Sequence, residues 1–142
     1  MKQFRIILFL IATSMLLYAC PNKEVGHRYI NFLNNSEKKI VCQEFVSGSI
    51  TDADTIIQCR IGAIGINSHS SYGFSSLHKS WEIDFQVMPY IQFLVLDAES
   101  YDNFLAESCD TIRKYVPVLK CYRLTLKDLQ QMNWTVTFTS EN

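Results

Sequence analysis

Residues 90–98 read YIQFLVLDA, Tyr90 to Ala98, and this stretch decides the fold. It is the most apolar run downstream of the N-terminal segment, and an extended chain would carry its apolar side chains on both faces. That pattern predicts a central strand covered from two sides. A strand of this kind needs neighbours, and the flanking sequence supplies them. Upstream, WEIDFQV alternates, with Trp81, Ile83 and Phe85 on one face. Downstream, VLKCYRLT and the closing WTVTFTS read as strands. In the latter, Trp134, Val136 and Phe138 point one way and three threonines the other, the pattern of a half-buried strand.

Further out, RYINFLN and KIVCQEFV alternate on either side of NNSEKK, which predicts a hairpin from Arg28 to Val46. SGSITDAD is a loop by composition, and TIIQCRIGAIGI is a third strand kinked at Gly62 or Gly65. NSHSSYGFSS is polar and predicted irregular. The period changes in SYDNFLAESCDTIRKY. Phe104, Leu105, Cys109 and Ile112 take helical spacing, Asp102 is a candidate cap, and Pro117 ends the helix. TLKDLQQMN is a shorter helix whose Thr125 and Asp128 approximate a capping box. The sum is about seven strands with one or two short helices. The expected fold is a single β-sandwich-like domain, immunoglobulin-like or transthyretin-like, over residues 28–142. The strand–helix–strand segment after residue 90 leaves an α+β arrangement as the alternative.

The chain opens MKQFRIILFLIATSMLLYAC. Lys2 and Arg5 precede thirteen nearly all-apolar residues, Ile6 to Tyr18. As a helix they would span roughly 20 Å, short of a bilayer core of roughly 30 Å. A secretory signal over residues 1–19 fits better. Leu-x-Ala-Cys at its end resembles the bacterial lipobox, although Tyr18 departs from the usual small residue. The resemblance implies that Cys20 receives a diacylglycerol thioether and, after cleavage, an N-acyl chain. Several acyl chains give stable anchoring where one is marginal. The alternative is an ordinary signal peptide whose first mature cysteine enters a disulfide. Residues 20–27 then form a short polar tether, which expects the domain to sit close to its membrane.

Removing the signal leaves 123 residues with a net charge of −3, since the signal holds two of the thirteen basic residues and none of the fourteen acids. That is enough chain for one core. A mildly acidic surface without a basic stripe argues against nucleic acid as a partner. Besides Cys20, the chain holds Cys42, Cys59, Cys109 and Cys121. Four cysteines in an exported chain favour disulfides, and Cys42–Cys59 with Cys109–Cys121 are expected because each pair lies on neighbouring predicted elements. Buried thiols are the alternative. No C-x-x-C pair supports a redox or zinc motif.

The close CYRLTLKDLQQMNWTVTF, taken with the lipobox, resembles small uncharacterised lipoproteins of Bacteroidetes. Thr125, Asp128, Leu129, Asn133 and Trp134 carry the match. It covers about fifty residues, and the N-terminal half follows only in general pattern. The resemblance implies a short, exported and anchored protein, and it implies no catalytic residues.

Candidates for chemistry are few. His27, His69 and His78 have no metal-ligand spacing to one another. His69 lies in SHSS, but without G-x-S-x-G the pair reads as solvated polarity. Asp52 and Asp54 suggest a calcium loop that lacks its glycine and terminal glutamate. Glu82 and Asp84 read as surface charges opposite Trp81. No metal site and no cofactor are expected. Asp54-Thr55-Ile56 and Asp110-Thr111-Ile112 resemble the Asp-Thr-apolar O-glycosylation acceptor of Bacteroidetes, with Thr55 in a loop and Thr111 in a helix.

These features together predict an exported, lipid-anchored, non-enzymatic binding or structural module of the outer membrane. Its ligand is an unnamed protein or glycan, met by loops near residues 47–56 and 66–80. The alternatives are an accessory subunit of an envelope complex, or a hydrolase acting on glycans or peptides.

Overall fold

The computed structural model describes residues 26–46, 57 and 62–140. These form a mainly β domain with strands β1 (Tyr29–Asn34), β2 (Ile40–Val46), β3 (Ala63–Ile66), β4 (Ser70–Ser75), β5 (Ile91–Asp97), β6 (Val118–Leu124) and β7 (Thr135–Phe138). Four short helices accompany them: α1 (Trp81–Asp84), α2 (Ala98–Phe104), α3 (Cys109–Tyr115) and α4 (Leu126–Gln131). One sheet has the order β4-β1-β7, with β1 and β7 parallel; the other has the order β3-β2-β5-β6 and is antiparallel throughout.

The sheets face each other across one apolar core. Ile30, Phe32, Phe74, Val136 and Phe138 of the first sheet meet Ile40, Cys42, Ile91, Phe93 and Val95 of the second. The other face of the second sheet is covered as well: Val41, Phe45, Leu94 and Leu96 pack against Ala98, Tyr101, Ile112 and Val116 of the helical layer. β5 is therefore buried on both faces, as its apolar run predicts. Its six residues from Ile91 to Leu96 are essentially inaccessible.

Four elements depart from the sequence reading. Residues 28–46 are not a hairpin, because β1 and β2 lie in different sheets and NNSEKK arches across the core. SSYGFS is a strand, pairing antiparallel with β1 from Ser70↔Asn34 to Ser75↔Tyr29. It lacks an alternating signal because Phe74 is its one buried residue. WEID is a single helical turn in which Trp81 and Asp84 are buried and Ile83 is exposed. An inward polar group, Asp84, broke the two-residue period. SYDNFLAESCDTIRKY is two helices, capped by Asp97 and Ser108 rather than Asp102.

The capping box at α4 forms as predicted: Thr125 Oγ1 accepts from Asp128 N, and Asp128 accepts from Thr125 N. Beyond α4, Asn133 and Trp134 both adopt positive φ, 49° and 57°. This unusual pair of left-handed residues turns the chain into β7. The Trp134 ring, 6% exposed, stacks on His27 at 4.2 Å.

The strand directions define two ends. The chain enters β1 at the end holding α1, α4 and the start of β7; Trp81 N donates to His27 O at 2.8 Å. Gly26 is required at this entry: a Cβ there would lie 2.3 Å from Ser80 Cβ and Oγ. Gly26→Ala is expected to cost about 2 kcal/mol, a typical overpacking penalty. Urea denaturation of the two proteins with superimposable midpoints would refute this.

Candidate functional site

The far end, opposite the chain entry, is built around Asn34. This side chain is fully buried. Its Nδ2 donates to Lys38 O, Ile66 O and Asn67 O at 2.8, 3.1 and 3.0 Å. Its Oδ1 accepts from Ser36 Oγ at 2.6 Å and Ser36 N at 3.2 Å. Ser68 Oγ adds a bond to Ser36 O at 2.7 Å. One amide thus joins the arch from β1 to β2 with the turn from β3 to β4. Backbone carbonyls in such turns have no ladder partner, and a buried amide is one of the few groups able to satisfy several.

Beside this frame lies a groove of about 540 Å³ between the ends of the two sheets. Lys38, Lys39, Lys120, Asp97, Leu119 and Ser140 are among its lining residues. Two of its charges are already engaged. Asp97 caps α2 through Ser100 N at 2.8 Å, and the Ser100 backbone and hydroxyl hold its carboxyl below the usual range, helped by Lys38. Lys39 Nζ pairs with Asp102 at 2.9 Å. Lys39 and Asp102 also line a second groove of about 440 Å³ with Val41 and Tyr101.

The entry end holds the acid–base groups. Asp84 is buried and accepts from Ser76 Oγ at 2.6 Å, Leu77 N at 3.1 Å and His78 Nδ1. Burial pushes its carboxyl up, but these donors more than offset that and hold it below its ordinary value. A serine, a histidine and an aspartate therefore meet, but in the wrong order for acyl transfer. There the histidine must lie between the nucleophile and the carboxylate. Here the carboxylate lies between, and Ser76 spends its proton on Asp84. The cluster organises the turn at residues 76–79.

Glu44, half-buried on β2, is the strongly perturbed carboxyl. Burial, then repulsion from Asp84, raises it to about 7. Burial, then Glu44, also pushes the Cys42 thiol far up, so it is a poor nucleophile. Glu82 accepts from His27 N at 2.8 Å and meets His27 Nδ1 at 2.7 Å. Its carboxyl, raised by burial, is lowered overall by hydrogen bonds from His27 and Ser80.

The structure thus gives each histidine an acidic neighbour that spacing could not reveal: His27–Glu82, His69–Glu37 and His78–Asp84. Among the described residues no three His, Cys, Asp or Glu side chains converge as a metal site would require. Asp84 is a buried organiser, not a surface charge. Neither expected disulfide forms: Cys42 is a buried thiol and Cys121 an exposed one. Cys109 is disulfide-bonded, but not to Cys121. Adjacent elements bring side chains near without setting the Cβ geometry that a disulfide demands. Thr111 sits in the first turn of α3, half-buried, its hydroxyl 2.9 Å from Ser108 Oγ. Cys20, Asp52, Asp54, Thr55 and Cys59 lie outside the described residues, as does the loop at 47–56. Nor do residues 66–80 form one surface. They run the length of β4, from the far end at His69 to the entry end at Ser76.

Fold and site together define a β-sandwich with one helix-covered face and a polar groove at its far end. Comparison of the chain with protein-family models, curated proteins and solved structures finds no match.

Proposed function

We propose that this chain is an exported, Cys20-anchored envelope lipoprotein acting as a non-enzymatic binding module. The groove at the far end is its contact surface. The observation that supports this reading is the position of the groove: it opens at the end opposite the chain entry, on a frame stiffened by Asn34. β1 alone separates the two ends by roughly 20 Å. A short tether would therefore present the groove away from the membrane. Lys38 and Lys120, with several hydroxyls and the Glu37 carboxylate beside them, suit a ligand carrying carboxylate or sulfate together with hydroxyl or amide groups, such as an acidic glycan or peptide. The order of groups around Asp84 argues against Ser76 as an acyl-transfer nucleophile.

The test is binding to arrays of acidic glycans and peptides by the protein and a Lys38→Glu, Lys120→Glu double variant. Binding that falls at least tenfold in the variant, with unchanged thermal stability, is the expected result. Binding that survives the charge reversal would remove the groove from the proposal.

A second reading, an accessory subunit of an envelope complex, is favoured by β6. Among the described residues it is the outermost strand of the second sheet, and its exposed Val118 and Leu119 offer a partner an apolar contact.

A further inference from the structure

The entry end carries an apolar surface that neither the core nor the groove uses. Val87 is 83% exposed and Leu77 71%, with Ile83 and Met132 partly exposed at 39% and 43%. Three of these four are tied to α1. Ile83 lies on it; Val87 N donates to Asp84 O at 3.1 Å, and Leu77 N to the Asp84 carboxylate at 3.1 Å. Met132 sits just beyond α4 at the same end. Asp84 thus holds two loops in fixed positions with aliphatic side chains turned to solvent.

The chain that leads toward Cys20 departs from the same helix. His27 is bound to Glu82 through both backbone and ring, and Gly26 lies against Ser80. Five residues lie between Cys20 and Gly26, making six Cα steps. Fully extended, they reach roughly 20 Å. With Cys20 acylated, α1 could stand no further than that from the bilayer surface. Nearby charge also suits such a surface. Arg28, Lys79 and Lys127 are exposed, while the acids at this end are engaged or covered: Glu82 with His27, Asp84 with Ser76 and His78, Asp128 with Thr125, and Glu44 by burial.

Resting on the anchored-lipoprotein reading above, we infer that the entry end is a membrane-docking face. Leu77, Ile83, Val87 and Met132 sit in the interfacial region of the bilayer that holds the Cys20 lipid, and the flanking cations meet its phosphates. Docking fixes the domain upright, so that the far-end groove projects from the membrane instead of sweeping about a flexible tether. The aliphatic contacts and the acyl chains act together, each raising the local concentration for the other.

The experiment uses the full-length lipidated protein in nanodiscs of phosphatidylethanolamine with a minor fraction of phosphatidylglycerol. The nanodiscs carry a headgroup spin label, and methyl resonances are read by NMR. Intact mass is measured first. A chain cleaved at Cys20 but bearing no lipid overturns both the anchor and the docking. With the lipid present, the methyls of Leu77, Ile83, Val87 and Met132 are expected to broaden several-fold more than those of Leu119 at the far end. A Leu77→Asp, Val87→Asp variant, altered at two exposed positions, should bring Ile83 and Met132 down to the level of Leu119. Equal broadening at both ends, or no response to the double variant, overturns the docking while leaving the anchor intact. Shifts at these methyls that dilute away with protein concentration would assign the face to a second copy and likewise overturn the proposal.

Discussion

Asn34→Ala is expected to lower stability by about 4 kcal/mol, the largest single-residue effect at the far end. The side chain is fully buried and joins Lys38, Ile66, Asn67 and Ser36. Removing it strands the buried Ile66 carbonyl, at about 1–3 kcal/mol for an orphaned buried group, and leaves a cavity that adds to the loss, while Ser36 Oγ keeps its bond to Lys38 O at 3.1 Å. For a domain of this size the loss corresponds to roughly 15 °C in the melting temperature. Asn34→Asp separates hydrogen bonding from shape. It keeps the acceptor for Ser36 but aims a carboxylate at three carbonyl oxygens, so at neutral pH it should be at least as damaging as alanine. Thermal melts of the three proteins decide the point. An alanine variant within about 2 °C of the parent would show that the frame is not held by this amide.

The second large effect is a pH dependence carried by Glu44. Its carboxyl is raised from 4.5 to about 7 in the fold, by burial first and by Asp84 second. Between these two values the native state holds a proton that the unfolded chain has lost. Stability from this group therefore falls as pH rises, starting near 4.5 and levelling off above 7. The full difference is about 3 kcal/mol, at 1.36 kcal/mol per pH unit. Asp84, Asp97 and Glu82 act in the opposite sense. Their carboxyls are lowered, so their contribution is present above the ordinary carboxylate range and is lost as pH falls through it. The two trends place maximal stability on the mildly acidic side of neutrality. Glu44→Gln keeps the shape and removes the charge. It should leave stability near pH 5 little changed and raise it by about 3 kcal/mol at pH 8. Urea titrations at the two pH values read this directly. A glutamine variant no more stable than the parent at pH 8 would mean that the Glu44 carboxylate finds compensation in the native state.

The largest pH response, that of Glu44, and the frame belong to opposite ends of the domain, with Asp97 the shifted carboxyl at the groove. The hydrogen bonds of Asn34 that frame the groove involve no titrating side chain. Glu44 and Asp84 lie toward the chain entry, where a change in protonation acts on the turn bearing Leu77 and on α1. On the proposed arrangement, acidity would alter how the domain sits on its membrane more than how its groove is built.

Periodicity in the chain determined the elements whose environment is uniform along their length. β5 was legible because burial on both faces forces a continuous apolar run. β7 was legible because one face is buried and one is wet. The capping box of α4 was legible because its bonds close within four residues. Tertiary structure decided the rest, for a common physical reason: the deciding partner is remote in sequence. β4 is a strand because β1 offers it a ladder. WEID is helical because Asp84 turns inward to Ser76, Leu77 and His78. Asn34, which reads as an ordinary turn residue, is buried because the arch crosses between sheets and brings Ile66 and Asn67 within 3.1 Å of its amide. The groove has no sequence signature at all, since its lysines come from the arch before β2 and from β6, which meet where the two sheets end. Local pattern reports how a residue relates to one core. It carries no information about which distant carbonyl or carboxylate will complete it.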